Sequence, residues 1–224
     1  KWHNHKPNLF KDRLEWYMEE IYKDIGSIHC YPGTNILINK LNIKDGNKLL
    51  KYEAKITAAK SLALRQKGIT GNFDVEHFKS IHKFLFEDIY LFAGILRDEN
   101  ICKGEFRFAS FEYIEPELNR LMRELKNENY LKGLNKEELA KRLAYYLSEL
   151  NVLHPFREGN GRTQRLFIEY LAEKNGYSVD FSQVTSDEMI RASAEAFACQ
   201  YDSMNQLFQR ITKCGFVKHM LHPP

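Results

Sequence analysis

The stretch that decides the reading of this chain is His154-Pro155-Phe156-Arg157-Glu158-Gly159-Asn160-Gly161-Arg162-Thr163-Gln164-Arg165. It gathers an imidazole, a carboxylate, a Gly-Asn-Gly turn and arginines at 162 and 165, between two apolar helix-like segments. Gly159 and Gly161 free the backbone to approach a ligand closely. The helix beginning near Gly161 points unpaired amides and the positive end of its dipole into the loop, which makes an anion cradle. Arg162 and Arg165 fall on one face of the first turn, where their guanidinium forks can hold phosphate oxygens. Glu158 supplies hard carboxylate oxygen, and one carboxylate plus substrate phosphates is the usual way a protein holds Mg²⁺. A histidine ordinarily titrates near neutrality, so His154 can take a proton from an attacking hydroxyl. Asn160 can donate its amide to a phosphate oxygen. Pro155 and Phe156 read as the helix stop and apolar anchor of the loop.

The plain alternative is an ordinary helix-loop-helix in which Glu158 pairs with an arginine and His154 caps a helix. Each residue taken singly favours it. Taken together, so many polar groups in one turn are costly unless a ligand satisfies them. Spacing thus points to a metal-phosphate site and names no reaction.

Outward from the loop the chain reads as helices. Upstream, Asn135 caps a long helix carrying Leu139, Leu143, Tyr146, Leu147, Leu150 and Leu153, which ends at His154-Pro155 because the residue before a proline avoids helical angles. Downstream, 163–175 forms a helix with Leu166, Phe167, Tyr170 and Leu171 inward, and two more fit 186–198 and 202–212, followed by a polar tail. Nearer the start, helical spacing marks 9–25, and Cys30-Tyr31-Pro32-Gly33-Thr34 reads as a turn. A helix over 47–67 is expected to bury Leu50, Ala54, Thr57, Ala58 and Leu62 or Ala63. Asp74 caps the next, over 75–92, whose inner stripe is Phe78, Ile81, His82, Leu85, Phe86 and Ile89; His82 reads as a hydrogen-bonded core histidine rather than a ligand. Another starts near Pro116 with Leu118, Leu121, Met122 and Leu125.

Between Gly94 and Tyr113 the helical period fails. Cys102 to Ala109 alternates around Gly104, with Phe106 and Phe108 facing one way and Glu105 and Arg107 the other, as a short hairpin would. It is either a surface excursion or a flap that covers a site or pairs with an extended partner segment. The expected fold class is therefore all-α, a helical bundle with a small β-hairpin, in one domain over residues 1–224.

A net charge of +3 is small against 33 basic and 30 acidic side chains, so nothing global argues for nucleic-acid or membrane binding. The four cysteines, Cys30, Cys102, Cys199 and Cys214, form no C-x-x-C pair, which fits reduced thiols in a cytoplasm-like compartment. His3 and His5 lack a companion ligand cluster and read as a frayed end. No apolar run approaches the roughly 20 residues of a membrane span and no signal peptide opens the chain, although an export address read by another machine leaves secretion open.

Residues 154–165 resemble, position for position, the H-x-F-x-(D/E)-G-N-G-R-x-x-R motif of the Fic (filamentation induced by cAMP) family. Tyr31-Pro32-Gly33-Thr34, Phe92-Ala93-Gly94 and the hairpin extend the likeness loosely over about 31–211, most closely to the Fic domains of Bartonella effectors and their bacterial toxin relatives. The resemblance implies a helical Fic fold that moves AMP from ATP to a Tyr, Ser or Thr hydroxyl of a target protein, releasing pyrophosphate. It implies His154 as base and Glu158 as Mg²⁺ ligand. It assigns Gly159, Asn160, Gly161 and neighbouring amides to the α- and β-phosphates, and Arg162 and Arg165 to the β- and γ-phosphates. It makes the hairpin, with Lys103, Gly104, Glu105, Phe106, Arg107 and Phe108, a flap that registers the target by strand addition. Phosphate-transferring relatives depart from the motif after the Asn, whereas Gly161-Arg162 is intact here. A nucleotide-binding or toxin module with weak catalysis, and transfer of another phosphate-containing group, keep the same scaffold.

Many members carry an inhibitory helix with the pattern (S/T)-x-x-x-E-(G/N), whose Glu is expected to pair with the second arginine. Ser61 is followed at the fourth step by Arg65, Thr70 by Asp74 and then Val75, and Ser193 by Phe197, so none completes it. A separate, antitoxin-like inhibitory protein is the favoured expectation.

Overall fold

The computed structural model describes residues 27–103 and 106–215. The helix expected over 9–25 and the end of the polar tail lie outside them. The described helices are α1 (Gly46–Lys67), α2 (Val75–Phe86), α3 (Phe111–Asn127), α4 (Lys136–Leu153), α5 (Asn160–Lys174), α6 (Ser186–Phe197) and α7 (Asp202–Ile211). Two short antiparallel pairs accompany them: β1 (Cys102–Lys103) with β2 (Phe106–Arg107), and β3 (Tyr177–Val179) with β4 (Thr212–Cys214). α4 is the central element, packed against α3, α5, α6 and α7. Leu139, Ala140, Leu143, Ala144 and Leu150 along it are fully buried.

Local chemistry starts these helices where expected. Asp74 accepts the His77 amide at 2.8 Å. Asn135 and Glu138 cap α4 reciprocally, each side chain bonded to the other's backbone N–H. Other boundaries follow from tertiary contacts. α2 stops at Phe86, short of the expected 92, so that the chain can turn and bring the Gly94 amide back to His82 at 2.8 Å. α3 begins at Phe111, five residues before Pro116, because Asn100 from the irregular segment accepts the Phe111 amide at 3.0 Å. The β3–β4 pair was not expected: each strand has three residues and pairs with one far along the chain, too little for a visible alternation.

α1 corrects the sequence reading most. It buries Leu49, Glu53, Thr57 and Leu64, while Leu50 is 43% and Leu62 57% exposed. Thr57 lies inward as expected, but Ala54 and Ala58 are exposed, and the helix is turned about its axis so that the Glu53 carboxylate is buried.

α2 holds two interior histidines. His82 stacks on Phe156 with ring centroids 3.8 Å apart; its Nδ1 accepts from Gly94 N–H and its Nε2 donates to the Glu158 carbonyl at 2.9 Å. The expected core histidine is thus a strut between α2, Gly94 and the central loop. His77 accepts from Phe73 N–H and donates to the Ile69 carbonyl. Both rings are therefore neutral Nε2–H tautomers, and burial lowers both pKa values, that of His82 to about 3. Because the folded values lie below the unfolded one, this stability is present above about pH 6.5 and lost as pH falls toward 3. His82 alone is expected to remove about 2 kcal/mol of unfolding free energy between pH 7 and pH 5, from the shift to about 3. Guanidinium unfolding at the two pH values measures the loss; His82→Gln should flatten it, and an unaltered slope in that variant would exclude the imidazole as its source.

Candidate active site

α4 ends at Leu153, and His154 takes the left-handed conformation (φ 45°, ψ 60°) that turns the chain into Pro155. The last carbonyls of a helix have no intrahelical donor. Arg97 supplies donors: Nε to the His154 carbonyl at 2.8 Å and Nη2 to that of Leu153 at 3.1 Å, while its backbone N–H reaches the Pro155 carbonyl at 2.9 Å. The same buried guanidinium bonds the Glu99 carbonyl at 2.7 Å and the Ala109 carbonyl at 2.5 Å. The helix end, the loop and both flanks of the hairpin thus meet on one cation, which also complements the negative pole of α4. Nothing in the sequence singled out Arg97; its only signal is a basic residue where the helical period has failed.

The His154 ring lies with Nδ1 3.3 Å from the Asn151 carbonyl, so Nδ1 carries the proton and Nε2 keeps its lone pair. Phe108, just after β2, stacks on it with centroids 3.7 Å apart and planes at 15°. Although the ring keeps an exposed edge, desolvation pushes its pKa down to about 3, with Lys103 and Arg97 adding to the effect. His154 is consequently a neutral imidazole at physiological pH. Of the expected flap, Lys103, Phe106 and Arg107 lie on the strand pair, in register Cys102 with Arg107 and Lys103 with Phe106. Gly104 and Glu105 fall outside the described residues.

The loop is closed from within. Asn160, 2% exposed, accepts the Phe156 amide at 2.8 Å and donates to the Phe156 carbonyl at 2.7 Å. Its side chain therefore shapes the loop, where the sequence reading had it donate to phosphate. Gly159 is required twice over: its φ is +79°, and a Cβ there would sit 2.1 Å from the Phe86 ring. A Cβ on Gly161 would meet only the movable Arg165 Nη1, at 3.2 Å. Arg157, to which sequence assigned no role, is buried with its Nε paired to Glu99. No side chain caps α5, and the amides of Asn160, Gly161 and Arg162 have no partner among the described residues. Unpartnered amides at a helix start are donors that an anion could use.

Charge converges beside it. Arg162 donates from Nη1 to Thr57 Oγ1 at 3.0 Å and from Nη2 to Glu53, and the same Nη2 lies 3.3 Å from Glu158 Oε1. Its guanidinium sits over Phe86, 4.8 Å from the ring centroid. Glu53 Oε2 accepts the Tyr90 hydroxyl. Glu53, Thr57 and Tyr90 were not read as site residues. Glu158 Oε1 also accepts the Gly159 amide at 2.8 Å, leaving Oε2 as an open oxygen ligand among the described residues. Those residues contain no group of three or more His, Cys, Asp or Glu able to hold a metal by themselves. The donor set thus fits an ion such as Mg²⁺ that takes one carboxylate oxygen and completes its shell with phosphates and water.

A neutral imidazole, an uncapped helix end, an arginine and an accessible carboxylate thus lie on one loop. Residues 72–172 match the model of the Fic/DOC family. Protein adenylyltransferase VbhT of Bartonella schoenbuchensis is 42% identical over 84% of this chain, an alignment covering 40% of that protein, so the chain spans well under half of its length. The probable protein adenylyltransferase Fic of Escherichia coli is 34% identical over 82% of this chain and 90% of its own length. The crystal structure of the BepC effector of Bartonella tribocorum with bound AMPPNP superposes with a TM-score of 0.80 at 33% identity, over 84% of this chain and 97% of that one. With its motif, its helical scaffold and near-full-length likeness to a relative all in agreement, the chain belongs to the Fic/DOC family.

Proposed function

We propose that this chain is a protein adenylyltransferase, moving AMP from ATP to a Tyr, Ser or Thr hydroxyl of a target protein and releasing pyrophosphate. The observation that carries the reading is the neutral His154, its Nε2 lone pair uncommitted, on the same loop as the unpartnered amides that open α5. In the transfer, the target oxygen bonds to the α-phosphorus, the bond from that phosphorus to the α–β bridging oxygen breaks, and His154 Nε2 takes the hydroxyl proton. The α5 amides and Gly159 receive the α- and β-phosphates, with Asn160 holding the loop in shape. Arg162 and Arg165 hold the β- and γ-phosphates and offset the charge that builds on the leaving group. Mg²⁺, held by Glu158 with the phosphates, would neutralise phosphate charge when bound.

The hairpin is the proposed recognition element: the target segment adds as a strand along Lys103 to Phe108. The stack of Phe108 on His154 supports this, because whatever orders the hairpin also orders the base. No complete inhibitory pattern was found, which supports control by a separate antitoxin-like protein. The four cysteines, none of them in a disulfide, suit a reducing cytoplasm as the place of action.

Incubation with lysate, Mg²⁺ and α-labelled ATP should label a protein, γ-labelled ATP should not, and His154→Ala should lower the rate on the order of 10² to 10⁴-fold. Label from the γ position would indicate phosphate transfer, and tight ATP binding without any label would indicate a binding module. Gly159→Ala is expected to lower stability by about 2–5 kcal/mol through a strained backbone and overpacking against Phe86. It should weaken ATP binding far more than Gly161→Ala does; calorimetry on both variants, with equal losses as the contrary result, decides whether the fit at Gly159 matters.

A further inference from the structure

Glu53 is the group in this molecule whose placement is least explained by folding. It is 5% exposed, on a helix whose apolar pattern would put Leu50 and Leu62 inside, yet those two leucines are left in solvent. Burying a carboxylate adds little stability even when it is paired. What the rotation of α1 achieves is local: it brings Glu53 to Arg162 beside Thr57. Both residues lie outside 72–172, the segment that matches the family model.

The contacts form a closed grip. Glu53 Oε1 accepts from Arg162 Nη2, and Oε2 accepts from the Tyr90 hydroxyl. Thr57 Oγ1 donates to the Glu53 carbonyl at 2.7 Å, which aims its lone pair at Arg162 Nη1, 3.0 Å away. Phe86 lies beneath the guanidinium plane. The terminal nitrogens are thereby held toward α1, whereas Nε has no partner among the described residues. A flexible side chain fixed in this way loses its freedom before a ligand arrives, which reduces the entropy lost on binding.

We infer that Glu53, itself anchored by Tyr90, is a positioning residue that pre-sets the Arg162 guanidinium for the nucleotide β-phosphate. The inference rests on the adenylyltransferase reading of the loop. It requires that Glu53 matter for ligands carrying a β-phosphate and not for those without one. A purely structural carboxylate would affect both alike, and a carboxylate competing with phosphate for Arg162 would have the opposite sign.

Calorimetric titration of the purified chain with ATP and with AMP, in Mg²⁺, separates these cases. Glu53→Gln keeps the shape and can still present its oxygen to Arg162 and its amide to the Tyr90 oxygen, so it removes chiefly the charge. ATP affinity should fall about 10- to 100-fold, the span expected for one charge-assisted hydrogen bond, while AMP affinity stays unchanged. Tyr90→Phe, which keeps the buried ring and needs no refitting, should move ATP affinity the same way by less. Unchanged or tighter ATP binding in both variants, or equal losses for ATP and AMP, would overturn the inference. A wild-type chain that binds no ATP would overturn the reading of the loop, and the inference with it.

Discussion

A single buried cation carries much of the architecture of this site. The Arg97 guanidinium is held by backbone carbonyls of Leu153, His154, Glu99 and Ala109. An arginine inside a protein is tolerable only when its donors are satisfied. Here the acceptors include the carbonyls that a helix end leaves without partners. The requirement is mutual: the end of α4 needs donors and Arg97 needs acceptors, so neither settles without the other. Because Ala109 and Glu99 flank the hairpin, the same exchange ties the hairpin to His154.

On the other side of the loop His82 does comparable work with a neutral group. Its two nitrogens join the Gly94 amide to the Glu158 carbonyl, and Phe156 stacks on its face. The carboxylate is thus carried on backbone that α2 fixes, and Asn160 closes the turn behind it. Asn160 and Glu158 bond the loop's own backbone, and the α5 amides are left without partners among the described residues. An anion site of this kind depends on those unspent donors.

The site also separates its charges. His154 sits against Phe108 in a desolvated corner near Lys103 and Arg97, which favours the neutral ring. The carboxylates of Glu53 and Glu158 instead gather on Arg162.

Much of this was legible in the sequence. Helices α4 and α5, the stop at His154-Pro155, the Asp74 and Asn135 caps and the short hairpin all follow from local rules, since caps, turns and apolar periods act over a few residues. The motif likewise sets its own residues in one turn of chain. What only the tertiary structure decided is what comes from elsewhere: Arg97 beneath the base, Phe108 upon it, His82 behind the loop and Glu53 on Arg162. Their partners lie dozens of residues away, so no local period marks them. For α1 the local signal points to the wrong face, because the inward turn is marked by polar contacts of Glu53 with Arg162 and Tyr90, which an apolar period does not register. The sequence by itself determined the helices and which polar groups share the central loop, because local rules act over a few residues; the packing of distant polar groups decided how they are held.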